Sequence, residues 1–314
     1  MFDQVAQVRL AVTEVAGRWL LELPDRYSFF AKILPLLLTS LRDSVSSVSE
    51  RASELWRRAG QQYLTENEEE HRQLINYPPP PPAGYPDTVE RPSLGCRLLS
   101  QRCFYTLLPG AAGDLSDWVA QTRLKVAQLL YTLVLHQEDA VTQYLQRLAT
   151  ALTAALADDE REVVRWVTQT AELLGCFAPF PTLMEVALKP ITGDGGATGR
   201  QLLLLAAVLR GCPSPHDVAQ SVAEVLASGD VCHSHEPVRQ VGLLEAAAAL
   251  LTSASELPGP AVAPLFGALV AVAGHAASEE LAQRALHLVE QLAATSGSMT
   301  DLLTELGCAP AAAH

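Results

Sequence analysis

The chain is poor in aromatic residues, and this scarcity limits the folds that it can adopt. Aromatic side chains make up 6% of its 314 residues although 49% are hydrophobic, so the apolar side chains are chiefly Leu, Ala and Val. Such a composition favours packed helices over a β-sandwich, which depends on Tyr, Thr and Trp. We therefore predict an all-α protein.

Positive charge is also sparse. The sequence contains 22 Lys plus Arg against 35 Asp plus Glu, a net charge of -13, and no run of basic residues interrupts this balance. A phosphate backbone is on average repelled by a surface of that charge. This excludes nucleic acid as a main partner.

Signals for secretion and membrane insertion are missing. The start of the chain lacks the basic and apolar regions of a signal peptide, and the least polar stretch, 258–277, contains Pro264, Gly267 and His275. The six cysteines are spread over more than 200 residues, mostly in or beside apolar runs, which is typical of reduced thiols. We expect a cytoplasmic protein without membrane contact.

Apolar residues at spacings of three and four predict pairs of amphipathic helices along most of the chain. The clearest pair spans 139–178, where Asp159 and Glu162 predict a capping box for the second helix. A last helix is predicted at 298–306. Two helices with one apolar face each cannot cover both faces alone, so neighbouring pairs are required.

A recurring dipeptide near the start of each second helix measures the repeat length. The second residues of these dipeptides are Arg9, Ser49, Arg123, Arg165, Arg200, Arg239 and Gln283. The steps between them are 40, 74, 42, 35, 39 and 44 residues, and removing about 33 residues from the anomalous step restores a period near 40. This period is typical of HEAT or armadillo repeats. The predicted fold is a single α-solenoid of about seven HEAT-type helical hairpin repeats over residues 1–314.

The anomalous step contains a proline-rich segment, which we interpret as a loop insertion over residues 65–91. Consecutive prolines cannot be helical and are expected to adopt the extended polyproline II conformation. Flanked by tyrosines, the segment could bind an aromatic groove of an SH3, WW or profilin-like domain; the alternative is an insertion that only packs beside the repeats. The candidate partner-binding residues are Tyr77, Pro78, Pro79, Pro80, Pro81, Pro82 and Tyr85.

Aspartates and arginines recur near the starts of the second helices. Since each repeat contacts only its neighbours, we interpret these residues as bridges between adjacent repeats; the alternative is a surface for an acidic ligand. The candidate stacking residues are Asp3, Arg9, Asp117, Arg123, Asp159, Arg165 and Arg239.

No group of residues predicts catalysis, a metal site or a cofactor. Cys232, His233 and His235 are suitable zinc ligands, but no second ligand pair lies at a matching spacing. The glycine-rich turn 193–199 lacks the Gly-Lys-Ser/Thr ending of a phosphate-binding loop, and no serine occupies a Gly-x-Ser-x-Gly turn. We predict a non-enzymatic binding protein.

Three segments match a known protein family in sequence. They are 18–43 (RWLLELPDRYSFFAKILPLLLTSLRD), 90–97 (ERPSLGCR) and 117–130 (DWVAQTRLKVAQLL). These segments resemble the dynein axonemal assembly factor 5 family, HEAT-repeat proteins among the cytoplasmic factors that preassemble the dynein arms of motile cilia.

This resemblance implies a cytoplasmic scaffold, located in the dynein assembly particles of ciliated cells. The partners that it implies are axonemal dynein intermediate chains and other assembly factors or chaperones. The helical repeats by themselves leave a second interpretation open, a karyopherin-like transport receptor or a phosphatase-type HEAT scaffold.

Overall fold

The computed structural model describes residues 3–192, 197–253 and 257–295, which form helices joined by loops. These ranges contain no β-strand, and the predicted all-α class is confirmed. The α-helices are α1 (Ala6–Glu22), α2 (Arg26–Ser40), α3 (Ser46–Glu66), α4 (Glu68–Asn76), α5 (Leu94–Asp114), α6 (Ala120–Gln137), α7 (Leu145–Ala155), α8 (Arg161–Phe177), α9 (Phe180–Thr192), α10 (Gly199–Gly211), α11 (Ala219–Leu226), α12 (Gly229–Cys232), α13 (Pro237–Ser253), α14 (Gly259–Gly274) and α15 (Glu279–Thr295).

Two shorter 3-10 helices, Glu138–Tyr144 and Pro215–Val218, precede α7 and α11. The predicted helix at 298–306 lies outside the described residues, as do residues 193–196 of the glycine-rich turn.

The described residues form two compact units, each with its own interior. The first contains residues 3–144 and 158–173, and the second contains 145–157 together with the described residues from 174 onward. The predicted pair at 139–178 is therefore divided, because α7 belongs to the second unit and most of α8 to the first. A single array over the whole chain stays a prediction.

Within each unit, consecutive helices pack as the hairpin pattern predicts. In the first unit α2 packs on α3 and α5 on α6, while α1 and α5 both contact α3. In the second unit α9 packs on α10 and α14 on α15, and α13 contacts both α10 and α15. The second helices α10, α13 and α15 thus lie side by side in the second unit, as α1 and α3 do in the first, whereas α3 packs next on α5, the first helix of the following hairpin.

Helix α1 is apolar on two sides, and only one of them is buried. Val5, Val8, Val15 and Trp19 are between 43% and 51% exposed. The face that α2 and α3 cover is instead formed by Thr13, Ala16, Gly17 and Leu20. Both faces of α1 are apolar, so helical spacing alone does not distinguish the buried one.

Trp118 and Phe29 are aromatic residues whose side chains are exposed. Trp118 is 90% exposed because it precedes α6, in a loop to which helical spacing does not apply. Phe29 is 42% exposed, whereas the adjacent Phe30 is buried and lies 6.5 Å from the ring of Tyr63. Leu130 and Leu133 lie within α6, where helical spacing applies, and are fully buried.

The segment 65–91 is only partly a loop. The helix α3 extends to Glu66, and α4 occupies Glu68–Asn76, so the loop prediction is wrong for these residues. Three glutamates in the first turn of α4 interact favourably with the helix dipole, and Glu69 pairs with Arg72. The prolines that follow are not helical, as their sequence requires.

Two glycines allow α3 and α5 to approach each other closely. A Cβ atom at Gly95 would overlap the carbonyl oxygen of Gly60, so neither backbone could stay in place. In the same helix α5, a Cβ atom at Gly110 would meet no atom within 4 Å. Alanine substitutions at Gly95 and Gly110 therefore distinguish the effect of close helix packing on stability from the effect of helix propensity.

We expect Gly95→Ala to lower the free energy of unfolding by about 1–3 kcal/mol, since the added methyl group overpacks the contact. Gly110→Ala, the matched control, should instead raise it by roughly 0.5–1 kcal/mol because alanine favours the helix. Chemical denaturation followed by circular dichroism measures both values. Equal midpoints for the two variants would contradict the close approach.

Candidate functional site

Arg9 joins the hairpin that contains α1 to the one that contains α3. Its Nε and Nη2 atoms donate to the two carboxylate oxygens of Asp43, at 2.6 and 2.9 Å. Its Nη1 atom donates to the carbonyl oxygens of Asp3 and Gln4, at 2.9 and 3.2 Å. One guanidinium group therefore links the loop before its own helix to the aspartate of the next hairpin.

The environment of Asp43 favours its charged form. Burial raises the pKa of this carboxyl group, but hydrogen bonds from Arg9 and from the Val45 amide, the latter at 2.9 Å, lower it to a net value below its usual range. Asp43 is thus ionised at neutral pH and also fixes the backbone just before α3.

Arg123 repeats this arrangement at α6. Its Nε and Nη2 atoms donate to the carboxylate of Asp158 at 2.6 and 2.9 Å, and its Nη1 atom donates to the carbonyl oxygen of Asp117 at 3.1 Å. Asp158 also accepts the Glu160 amide at 2.9 Å. In both bridges the arginine lies six residues after the aspartate of its own loop, and it contacts the aspartate of the following hairpin.

The carboxylates of Asp3 and Asp117 do not form the bridges that the sequence analysis expected of them. Each accepts the backbone amide two residues later, from Val5 and Val119 respectively, at 2.7 Å. Their carbonyl oxygens, and not their carboxylates, bind the arginines. The carboxylates that accept two bonds from these arginines belong to Asp43 and Asp158, which were not among the predicted site residues.

Of the predicted stacking residues Asp159 and Arg165, Asp159 does contact the preceding hairpin, whereas Arg165 forms its ion pair within its own helix and not with a neighbouring hairpin of the described residues. Asp159 pairs with Arg123 at 2.6 Å and is 85% exposed, while Arg165 pairs with Glu162 of its own helix at 3.1 Å. The predicted capping box at Asp159 is also wrong, because α8 begins at Arg161 and Asp159 therefore lies one residue before the N-cap position. Counting six residues from Asp158 gives Val164, so Arg165 is one residue out of register.

In the second unit a buried side-chain amide, and not an arginine, links consecutive hairpins. Within the described residues, the guanidinium of Arg239 forms its polar contacts in its own hairpin, with Glu236 at 3.2 Å and with the carbonyl of Asp230 at 3.1 Å. The next residue, Gln240, is fully buried and donates to the carbonyl of His275 at 2.9 Å. Its Oε1 atom accepts the Ala277 amide at 2.8 Å. Gln240 was not among the residues predicted from the sequence, because an uncharged side chain does not contribute to a pattern of charge pairs.

A buried carboxylate fixes the proline-rich segment. Glu138 accepts from Nε and Nη2 of Arg91 at 2.6 and 2.7 Å and from Arg97 at 3.2 Å. Its backbone φ of 48° lies in the left-handed region that favours glycine, so the two arginines hold it in an uncommon conformation. Arg91 also donates to the carbonyl of Pro79 at 2.8 Å. Glu138 thereby positions the prolines through Arg91.

The two tyrosines that flank the prolines have different environments. Tyr77 is 79% exposed, and residues 78–81 are exposed with it. Tyr85 is half-buried, and burial together with the nearby charge of Glu138 raises the pKa of its hydroxyl. The part of the segment that is accessible to a partner is therefore 77–81, whereas Tyr85 and Pro82 are partly covered.

A buried hydrogen-bonded chain connects α3 to α6. The indole Nε1 of Trp56 donates to Nε2 of His136 at 3.0 Å, and Nδ1 of His136 donates to the carbonyl of Thr132 at 2.6 Å. Burial lowers the pKa of His136 to about 4, and the charges of Arg97 and Arg42 act in the same direction. The imidazole is consequently neutral at physiological pH, which lets Nε2 accept the indole proton.

The other candidate chemical groups are separate from these contacts. The rings of His233 and His235 each lie 5.6 Å from that of His275, but the described residues contain no group of three or more ligands that could hold a metal ion. Burial raises the pKa of Cys96 and Cys103 to about 11, so both thiols are protonated. None of the described helices is long and apolar enough to cross a bilayer.

Comparison with known proteins identifies relatives over most of the chain. A family model described as dynein axonemal assembly factor 5, HEAT-repeat domain, matches residues 83–276. A second, described as dynein axonemal assembly factor 5-like, TPR repeats, matches residues 1–73. The predicted HEAT class is thus confirmed for 83–276, and the two matches are separated by the first prolines of the proline-rich segment.

Two curated relatives show the extent of the similarity. The chain is 39% identical over 302 residues to dynein axonemal assembly factor 5 of Homo sapiens, covering 95% of this chain and 35% of the relative. It is 40% identical over 240 residues to the Mus musculus protein, covering 75% and 28%. The chain spans about a third of the length of these relatives.

Among solved structures, a designed armadillo repeat protein aligns with a TM-score of 0.31 at 13% identity, covering 82% of this chain and 99% of that chain. So low a score adds nothing to the fold assignment, which depends on the helices and the family match.

We expect Arg123→Ala to lower the midpoint of thermal unfolding by a few degrees, because it leaves the carboxylate of Asp158 without its partner. Arg165→Ala is the control, since Arg165 lies in the adjacent hairpin and its ion pair, with Glu162, is exposed and within one helix. It should shift the midpoint by less than about one degree. Thermal denaturation of both variants in low salt measures the difference. A larger shift for Arg165→Ala would contradict the bridge assignment.

Proposed function

Because the chain belongs to the dynein axonemal assembly factor 5 family, we propose that it works as a non-enzymatic scaffold in the preassembly of axonemal dynein arms. The observation that supports this most strongly is the family match over residues 83–276 together with 39% identity to the human relative. The name of the human relative states that it is an assembly factor for axonemal dynein. We propose the same assembly role for this chain.

The proposed clients are dynein intermediate chains, which the chain holds in the cytoplasm together with other assembly factors or chaperones. Helical hairpins that pack side by side present rows of helix surface to a partner without any catalytic group. The described thiols are buried, and His136 is committed to a structural hydrogen bond. These features support a binding role over an enzymatic one.

The proline-rich segment is the proposed recruitment site on this scaffold. Arg91 holds the carbonyl of Pro79, and Tyr77 remains 79% exposed beside the exposed prolines. A segment that is already extended loses little conformational entropy when it enters an aromatic groove of an SH3, WW or profilin-like domain. We therefore assign binding to residues 77–81, with Tyr85 as part of the support beneath them.

The assembly role is tested by affinity purification of the tagged chain from multiciliated cells. We expect axonemal dynein intermediate chains and assembly factors or chaperones among the recovered proteins. Recovery of transport cargo or of phosphatase subunits, with no dynein subunit, would contradict the proposal. Purification from cells without motile cilia gives the background.

Tyr77→Ala combined with Pro80→Ala should weaken binding to the partner domain by about tenfold or more, since both side chains belong to the exposed segment. Tyr105→Ala, which removes another exposed tyrosine (65%) from α5, is the matched control. Binding to purified SH3, WW and profilin domains measures the effect, and circular dichroism checks the fold. Equal binding by both variants would show that the proline-rich segment only packs beside the repeats and does not bind the partner domain.

A further inference from the structure

A cavity of about 340 Å³ lies in the first unit between α3, α6 and the end of the proline-rich segment. Its walls come from Leu41 and Arg42, which directly follow α2, from the exposed side of α3, and from residues 89–93 and 96. Trp56 and His136 form its floor. We call it the arginine cavity, because Arg42, Arg57 and Arg91 all line it.

The charge of this cavity is opposite to that of the chain. Three lining residues are arginines and one, Glu90, is acidic, whereas the whole chain contains 35 acidic and 22 basic residues. Arg91 is largely neutralised by Glu138. Arg42 and Arg57 form no ion pair with any residue that the structure describes. Their positive charge is therefore available to an incoming anion.

Arg42 is held in position without being neutralised. Its guanidinium carbon lies 4.9 Å from the ring centre of Tyr131 and 5.5 Å from that of Trp166. Arg42 also hydrogen-bonds the side chain of Tyr131, but a guanidinium carries five N–H donors, and its planar edge matches the geometry of a carboxylate. An arginine fixed in this way loses little side-chain entropy when it binds an anion.

The rest of the lining suits a peptide. The floor is rigid because the indole of Trp56 donates a hydrogen bond to His136. The imidazole of His136 is neutral and adds no charge to the cavity. Ser53 and Ser93 supply hydroxyl groups, while Leu41 and Leu135 supply apolar surface. A mixed cavity of this volume admits a few side chains of an extended segment and is too small for a folded domain.

We propose that the arginine cavity binds an acidic peptide segment of a client protein, whose carboxylates pair with Arg42 and Arg57. This deepens the proposed function by naming the chemistry of one client contact, and it rests on that function only for the identity of the client. The proline-rich segment ends at the rim of the cavity, so a partner recruited there would lie next to it.

The test measures fluorescence anisotropy of a labelled hexaglutamate peptide with the purified chain in low salt. Arg57→Glu should weaken binding by about tenfold, since an exposed cavity arginine becomes a repelling charge. The matched control is Arg58→Glu, an equally charged change at the next exposed residue of α3, which does not line the cavity. It should stay within about twofold of the unchanged chain.

Four outcomes would overturn the assignment. They are absence of hexaglutamate binding, equal loss in the two variants, equal binding of a labelled hexaglutamine peptide, and displacement of the peptide by equimolar inorganic phosphate, which would indicate a site for a free anion. The assay contains only the chain and the peptide. If the chain recovers dynein subunits from cells but binds no hexaglutamate, the cavity assignment is wrong and the proposed assembly role is unaffected.

Discussion

The arginine bridge between consecutive hairpins is the contact on which the register of the first unit depends. Burial of apolar side chains stabilises the helices without specifying direction, so hairpins that pack only through Leu and Ala could slide along one another. A bidentate pair such as Arg9 with Asp43 or Arg123 with Asp158 has one geometry. Since each aspartate also fixes the backbone before a helix, the same group sets where the helix starts and which neighbour it contacts.

Interruption of the repeat creates the candidate binding surfaces. Between α3 and α5 the repeat is longer than elsewhere, because it contains α4 and the prolines. The charged residues beside this insertion do not bridge consecutive hairpins. Arg91 and Arg97 converge on Glu138, which holds the prolines, while Arg42 and Arg57 face an open cavity. A continuous repeat would bury its polar groups between neighbours, whereas a break leaves them accessible to a partner.

Particular residues show how far helical spacing predicts the interior. Leu130 and Leu133 lie within α6 and are buried as the spacing predicts, but Trp118 precedes the helix and is exposed. On α1 two apolar faces compete, and only the packing of α2 and α3 selects the one that contains Leu20. Of the predicted bridging arginines, Arg9 and Arg123 do reach the next hairpin, but Arg165 lies one position too far along α8, and a shift of one residue rotates a side chain by about 100° on a helix.

The amino-acid sequence by itself determined the helical class, the length of the repeat and the position of its interruption. These follow from local periodicity and from prolines, which act on their own backbone whatever surrounds them. Tertiary structure alone decided which carboxylate meets which arginine, which face of α1 is covered, and that Arg42, Arg57 and His136 line one cavity. Such contacts join residues far apart in the chain, and the packing of helices, not their spacing, brings them within hydrogen-bonding distance.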